Sequence, residues 1–280
     1  MSRNEPGVPV QADTVAHTQA PVRGAVGVPV QARERARQIV ASARRVTVLT
    51  GAGISTDSGI PEFRGPIGVW TLNPGAVKMF TLDNSLADPQ IRRVAWQNRL
   101  HSPAWTAQPN AGHRALVELE RSGRMRALVT QNIDGLHQRA GSTEDLVVEV
   151  HGTIWDVVCL DCGDRNPTSQ ALKRVEAGED DPPCRLCGGI LKSATISFGQ
   201  NLEKPVFDRA VAAAEDCDVF LAVGTSLRVY PVAGLPQIAI GGRARLVIVN
   251  GEETPLDELA EVVVRDPISE VLPELVTSEG

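Results

Sequence analysis

Residues 46–56, Val46-Thr47-Val48-Leu49-Thr50-Gly51-Ala52-Gly53-Ile54-Ser55-Thr56, decide the fold. A β-branched apolar run that stops on glycine reads as a short buried strand. Glycines at its end let the backbone turn tightly and approach a phosphate, and amides at the start of a following helix can hold a pyrophosphate. The alternative is an ordinary glycine turn, because the third glycine of the usual G-x-G-x-x-G is replaced by a later Asp57-Ser58-Gly59. Further strand signals lie at 125–130, 146–150, 195–198, 219–223 and 246–249. Helical composition spans 31–45, 111–122 with Asn110 as N-cap, and 206–215. Strands alternating with helices predict an α/β fold built on a doubly wound parallel sheet.

Three segments stand apart from that alternation. Residues 1–30, rich in Pro, Gly, Ala, Gln and Val, read as a mobile tail, and 31–280 as the folded unit. Residues 65–108 carry Pro, Asn, Asp and three of the four Trp without a clear strand, and read as a helical insertion. Residues 155–195 carry the cysteines around an acidic, Gly/Pro-rich middle and read as a small separate module.

The chain has 280 residues, 42% hydrophobic and 22% charged, which excludes a wholly disordered or collagen-like polymer. Its net charge of −6 argues against a general nucleic-acid binder, because nothing would neutralise the phosphates. No run reaches the roughly 18 apolar residues of a membrane span. The N-terminus shows no basic-then-apolar export pattern, so a cytoplasmic protein is expected.

Cys159-x-x-Cys162 and Cys184-x-x-Cys187 carry the sharpest local signal. Each pair lets two thiolates bite one ion, and two pairs give the four-sulfur tetrahedron of structural zinc. The 21 intervening residues slightly exceed the usual spacing of about 15–20, but a longer loop adds little closure entropy. Four sulfurs fill the shell, so the ion is expected to be structural. The fifth cysteine, Cys217, reads as a core thiol.

Other candidates cluster at strand ends, where open α/β sheets bind ligands. After the first glycine turn come Phe63 and Arg64, an aromatic to cover a reactive sugar carbon and a cation to pair an anion; the alternative is a core Phe and a surface ion pair. Gln131, Asn132, Ile133 and Asp134 follow a second strand, and their amides and carboxylate suit a ribose and a carboxamide, or simply cap the next helix. His151 ends a third strand and is a candidate general base, although a lone histidine is commonly structural. His17, His101, His113 and His137 lack a comparable setting and read as solvated or packing residues. Thr225 and Ser226 follow a fourth strand and Asn250 ends a fifth; each suits a ribose or phosphate, or a turn.

Taken together, GAGISTDSGIPEFRG (51–65), TQNIDGLH (130–137), His151-Gly152, the paired knuckles, ISFGQ (196–200) and GTSLRVYPVAGL (224–235) resemble the sirtuins, NAD-dependent protein-lysine deacylases. The likeness covers about residues 33–275. It implies a Rossmann-like domain, a small zinc-binding domain and a helical insertion, with NAD in the cleft between. Carried over residue by residue, it places Ala52, Gly53, Thr56, Thr225, Ser226 and Asn250 on NAD, Phe63 and Arg64 beside the nicotinamide ribose, and Gln131, Ile133 and Asp134 on that ribose and the carboxamide. Asn132 and His151 are implied as catalytic, with His151 the base. The implied reaction moves the acyl group of a protein lysine to ADP-ribose, releasing nicotinamide, with mono-ADP-ribosyl transfer or longer-chain deacylation as alternatives. Ile196–Gly199 and Leu227–Val229 are implied to take the acyl-lysine peptide as an added strand.

Three departures from the family pattern stand out. Gln200 replaces the usual Glu after Phe198-Gly199, Ser193 follows Lys192 where Pro is usual, and Trp96-x-x-Arg99 stands where sirtuins acting on acidic acyl groups carry Tyr-x-x-Arg. No strong preference for acidic acyl groups is therefore expected.

Overall fold

The computed structural model describes residues 11–12, 29–62 and 68–277. In chain order the elements are β1 (Gln11–Ala12), α1 (Pro29–Ser42), β2 (Val46–Thr50), α2 (Val69–Leu72), α3 (Leu82–Ala87), α4 (Pro89–Leu100), α5 (Ala111–Arg121), β3 (Met125–Thr130), α6 (Leu136–Ala140), β4 (Val147–Glu149), β5 (Gly152–Cys159), β6 (Arg165–Pro167), α7 (Thr168–Glu176), β7 (Leu191–Thr195), α8 (Lys204–Glu215), β8 (Val219–Val223), β9 (Val229–Tyr230), α9 (Leu235–Gly241), β10 (Arg245–Val249), β11 (Val262–Val264) and α10 (Ile268–Val276). A 3₁₀ turn, Ala52–Ser58, follows β2 directly.

Six strands form one parallel sheet in the order β11-β10-β8-β2-β3-β4. Alternating residues of its strands feed two cores. Val46 and Val48 of β2 face α1, α5 and α10 with Leu116, Leu119 and Leu272. Leu49, with Phe220 and Ile248 of the neighbouring strands, faces α8 and α9 with Ala213 and Leu235. Helices on both faces explain why β2 and β8 are buried at every position and read as continuous apolar runs. The chain winds from β2 through β3 to β4, then returns to β8 and runs the other way to β10 and β11. The reversal falls between β2 and β8, so the crevice that such sheets offer to ligands opens at Thr50 and Val223.

The strand expected at 195–198 is displaced. β7 ends at Thr195, and Ile196–Phe198 forms a loop whose Phe198 bonds Phe80 and Leu82 of the insertion. The apolar residues Ile196 and Phe198 pack on the second core rather than lying in a sheet. The described part of the insertion is α2, α3, α4 and short 3₁₀ turns, with no strand among the described residues.

Residues 152–195 build an antiparallel sheet, β6-β5-β7, with α7 against it. Trp96 of α4, 2% exposed, packs in its core with Val157, Ala171, Leu191 and the ligand cysteines Cys159 and Cys184. The insertion and the cysteine module thus share one core. Gln11–Ala12 pair antiparallel with Val229–Tyr230; the rest of 1–28 lies outside the described residues.

Candidate active site

Two glycine turns interlock at the crevice. The Gly51 N–H donates to the Val223 carbonyl (3.0 Å) and the Gly53 N–H to the Gly224 carbonyl (2.9 Å). A Cβ on Gly53 would lie 2.8 Å from the Gly224 Cα, and one on Gly224, at φ +59°, would lie 2.5 Å from the Ile54 nitrogen. The glycines therefore let the ends of β2 and β8 meet, a role that stands beside the phosphate approach expected from the sequence.

The segment after β3 turns its polar side chains into this corner. The Asn132 amide donates to the Gly51 carbonyl (3.1 Å) and to Ser55 Oγ (3.2 Å), and Ser55 Oγ donates to Asp134 Oδ2 (2.8 Å). The Leu136 N–H holds Asp134 Oδ1 at 2.9 Å. Burial pushes the Asp134 carboxyl up, and the hydrogen bonds from Leu136 and Ser55 oppose it. The Gln131 amide donates to Thr225 Oγ1 (2.9 Å), tying the second strand end to the fourth. Ile133 gives its carbonyl to the Ile154 N–H at the start of β5 (3.0 Å).

His151 closes the corner. Its Nδ1 lies 3.2 Å from the Gln131 carbonyl, which can only accept, so Nδ1 carries the proton. Nε2 is then a bare acceptor, buried and without a partner among the described residues. Burial lowers the imidazole to about 4, so the ring is neutral near pH 7. Gly152, at φ +72°, brings the next residue against β7: a Cβ there would sit 2.1 Å from the Ala194 carbonyl oxygen. Ile196 N–H, from the loop after β7, also bonds the His151 carbonyl (2.9 Å).

The remaining expectations sort unevenly. Ala52, Thr56 and Ser226 lie on the two turns, with Thr56 exposed and its hydroxyl on the Gly53 carbonyl. Asn250 caps the end of β10, but its amide donates to the Glu252 carbonyl (2.8 Å), leaving the side-chain oxygen. Phe63 and Arg64 lie outside the described residues. His101 is exposed, as expected, and His17 lies outside the described residues. Sequence reasoning passed over Ser55, which is fully buried and joins Asn132 to Asp134. Of the two readings open for His113 and His137, solvated or packing, the structure selects packing: both are buried, and each also carries a hydrogen bond. Ser55 and His137 draw their partners from distant strand ends, whereas His113 bonds Asn110 three positions away in the capping box of α5.

The four knuckle cysteines converge at the far end of β5. All four sulfurs lie within 4.8 Å of one another, with Cys159–Cys187 at 3.5 Å and Cys162–Cys184 at 3.8 Å. A tetrahedral zinc about 2.3 Å from each sulfur sets neighbouring sulfurs about 3.8 Å apart, so the cluster fits one such ion. These separations exceed a disulfide bond of about 2.05 Å. The Cys162 and Asp161 backbone N–H groups draw the Cys159 thiol down toward the thiolate. Cys217 is buried against the Ala214 carbonyl, apart from the cluster, as a core thiol.

Trp96 and Arg99 are accounted for by this module: the Trp96 ring fills its core and the Arg99 guanidinium lies 5.4 Å over that ring. Gln200 accepts from the Ser197 N–H (3.3 Å) and Lys192 Nζ (3.4 Å), fastening the loop after β7 to the strand itself.

A model of the Sir2 family matches residues 51–231. The chain is 52% identical over 235 residues to NAD-dependent protein deacetylase 2 of Streptomyces coelicolor, covering 84% of this chain and 98% of the relative. It is 40% identical over 241 residues to NAD-dependent protein deacetylase 1 of Bradyrhizobium diazoefficiens, covering 85% and 93%. A solved Sir2 structure with a p53 peptide and NAD+ aligns at TM-score 0.76 and 34% identity, over 84% of this chain and 93% of that one. A Sir2 variant with deacetylated p53 peptide and 3'-O-acetyl ADP-ribose aligns at TM-score 0.80 and 33% identity, over 86% and 96%.

Proposed function

The chain belongs to the Sir2 family, and from that premise we propose that it removes acyl groups, most simply acetyl, from protein lysines at the expense of NAD. The products are free lysine, nicotinamide and O-acyl-ADP-ribose. The observation that carries the reading is the unpartnered His151 Nε2 at the crevice where two glycine turns meet. A neutral imidazole with a bare, buried acceptor is built to take a proton from a hydroxyl placed against it.

NAD is a substrate here, and loss of nicotinamide leaves a ribose carbon for the acyl oxygen. The residues divide the remaining work. Gly53, Ala52, Thr56, Thr225, Ser226 and Asn250 hold the dinucleotide along the strand ends. Gln131, Asn132, Ile133 and Asp134 fix the nicotinamide ribose and the carboxamide, with Ser55 holding Asn132 and Asp134 in register. Phe63 screens the reacting carbon and Arg64 pairs with an anion. His151 accepts the ribose hydroxyl proton at Nε2, while Gln131 holds the ring by its other nitrogen.

The acyl-lysine peptide adds as a strand beside Leu227–Val229, opposite Ile196–Gly199. The edge of β9 does accept an extended segment, since Gln11–Ala12 of this chain pair with it. Trp96 and Arg99, engaged by the cysteine module, support the absence of a strong preference for acidic acyl groups. The zinc ion is held by Cys159, Cys162, Cys184 and Cys187 and braces that module. We read 31–280 as one catalytic unit carrying the 65–108 insertion and the 155–195 zinc module. No helix among the described residues is long and apolar enough to cross a membrane. A reducing cytoplasm suits four cysteines that share a metal.

A panel of differently acylated lysine peptides, incubated with NAD and read by mass, tests the reading. O-acyl-ADP-ribose matched by free lysine is expected. Adenylate label retained covalently on protein instead would mark ADP-ribosyl transfer as the main reaction, and NAD binding without nicotinamide release on any peptide would end the proposal.

A further inference from the structure

Behind the crevice, between α5 and α6, lie three more buried polar atoms without a partner among the described residues: His113 Nε2, His137 Nδ1 and Ser142 Oγ. The two imidazole rings face each other at 5.0 Å between centroids, tilted by 55°. Ser142 follows α6, its N–H on the His137 carbonyl. Space-filling alone does not explain them, because apolar side chains would fill the same volume without the desolvation penalty of unpaired nitrogens.

Neighbouring bonds fix the protons. The Asn110 N–H donates to His113 Nδ1 (3.3 Å) in the capping box of α5, so His113 carries its proton on Nε2. His137 Nε2 lies 3.0 Å from Thr50 Oγ1, and the Thr50 hydroxyl donates to Thr130 Oγ1 (2.8 Å). With its hydrogen so spent, Thr50 accepts from His137, which leaves His137 Nδ1 bare. A donor, His113 Nε2–H, and an acceptor, His137 Nδ1, thus lie on neighbouring rings without a direct hydrogen bond, and one water between them would satisfy both. The opposite tautomer of His137 would leave two donors and no acceptor on the neighbouring rings. Burial lowers both rings, His113 to about 4, so both stay neutral near pH 7.

The chain of bonds ends at the catalytic loop. Thr130 Oγ1 accepts from the Asn132 N–H (3.0 Å), and the Thr50 carbonyl accepts from the Gln131 N–H (3.0 Å). Gln131 in turn holds the His151 ring. We propose that His113 and His137, both in the Nε2–H form, are positioning residues: their adjacent rings, acting through Thr50 and Thr130, set the backbone of Gln131 and Asn132 and so aim Asn132 and His151 at the ribose. This rests on the deacylase reading for its activity arm alone.

The test uses the full chain with NAD and an acetyl-lysine peptide. His113→Asn keeps an acceptor for the Asn110 N–H and removes Nε2–H with the ring edge that carries it. Thr50→Val breaks the link to the strand ends. Each is expected to lower kcat by at least about fivefold with the KM for NAD little changed, the effect of a misaimed rather than an emptied site. Because both act through one chain of bonds, the double variant is expected to be no slower than the slower single variant by more than about twofold. A smaller kcat loss in His113→Asn, a loss confined to KM, or multiplicative effects would overturn the assignment. Nitrogen-15 NMR of the histidine-labelled wild type supplies a second measurement that depends on neither activity nor the folding of a variant. His137 protonated on Nε2 and bare on Nδ1 is expected; the reverse tautomer, or a charged ring at pH 7, defeats the proposal. If the wild type turns over no acyl-lysine peptide, the functional reading fails while the tautomers remain measurable.

Discussion

At the crevice, His151 Nε2 is kept bare by a hydrogen bond on the other side of its ring, and the groups around it hold one another in place. At the far end of β5 the opposite is done: four sulfurs from two knuckles turn on a single point, where one metal ion would satisfy all of them. One region stores an unsatisfied atom for a substrate, and the other leaves nothing for a substrate to find. The two are joined by a single strand, since β5 begins at Gly152, next to His151, and ends at Cys159. The difference separates a site that does chemistry from one that braces it, although both are dense in polar side chains.

Substitutions can break this contrast, beginning with the largest effect. His151→Ala is expected to cut kcat by roughly 10²–10⁴, the usual worth of a general base, with the melting temperature nearly unchanged or raised. Steady-state kinetics with an acetyl-lysine peptide checks it, and turnover like that of the wild type would remove His151 from its role. Metal removal by a chelator should do the reverse, acting on structure first. It withdraws binding free energy on the order of 10 kcal/mol from a module whose core includes Cys159 and Cys184, so the β6-β5-β7 sheet should lose its near-ultraviolet signal before the parallel sheet melts. Activity loss without any spectral change would show that the ion serves the crevice directly.

Ser55→Ala tests the lock between Asn132 and Asp134. About a tenfold loss of kcat is expected, since a buried carboxylate and a buried amide each lose a partner. An unchanged kcat would mean that the remaining bonds hold the loop alone.

Acid titration sharpens the comparison further. His113, His137 and His151 have folded-state values below the ordinary 6.5, held down by burial. Above 6.5 neither state is protonated and the rings contribute no pH dependence. As pH falls below 6.5 the unfolded chain takes up protons that the folded chain refuses, so stability drops, by about 2 kcal/mol at pH 5 for each of His113 and His151. Urea melts at pH 7 and pH 5 read this. The acid limb of kcat/KM should likewise fall well below 6.5, toward the value of about 4 held by the His151 imidazole. The smallest effect is expected from Gln200→Glu. Lys192 Nζ already faces that side chain, so a carboxylate there should change kcat/KM for the peptide by less than about threefold.

Much of the fold was legible because burial imposes period. Val46–Thr50 and Val219–Val223 lie in the middle of a sheet covered on both faces, so each had to be apolar throughout. Asn110 announced α5 because an N-cap is a local bond. The antiparallel strands β5, β6 and β7 were not legible, since β6 is three residues long and mostly exposed, and β5 and β7 mix buried with half-buried positions around the cysteine cluster instead of presenting a wide apolar face. Ile196–Phe198 looked like a strand because it places two apolar residues at alternate positions, but these pack half-buried on the second core from within a loop.

The sequence by itself determined the parallel sheet, the glycine turns at its switch point and the four-sulfur cluster, because each follows from residue type at short spacing. Tertiary structure alone decided which nitrogen of His151 is bare, why Ser55 belongs to the site, and that His113 and His137 face each other. Those outcomes are fixed by partners brought from elsewhere in the chain: the Gln131 carbonyl 20 positions from His151, and Thr50 87 positions from His137. A proton's place on an imidazole is set by the neighbour across the ring, and that neighbour exists only once the strands have come together.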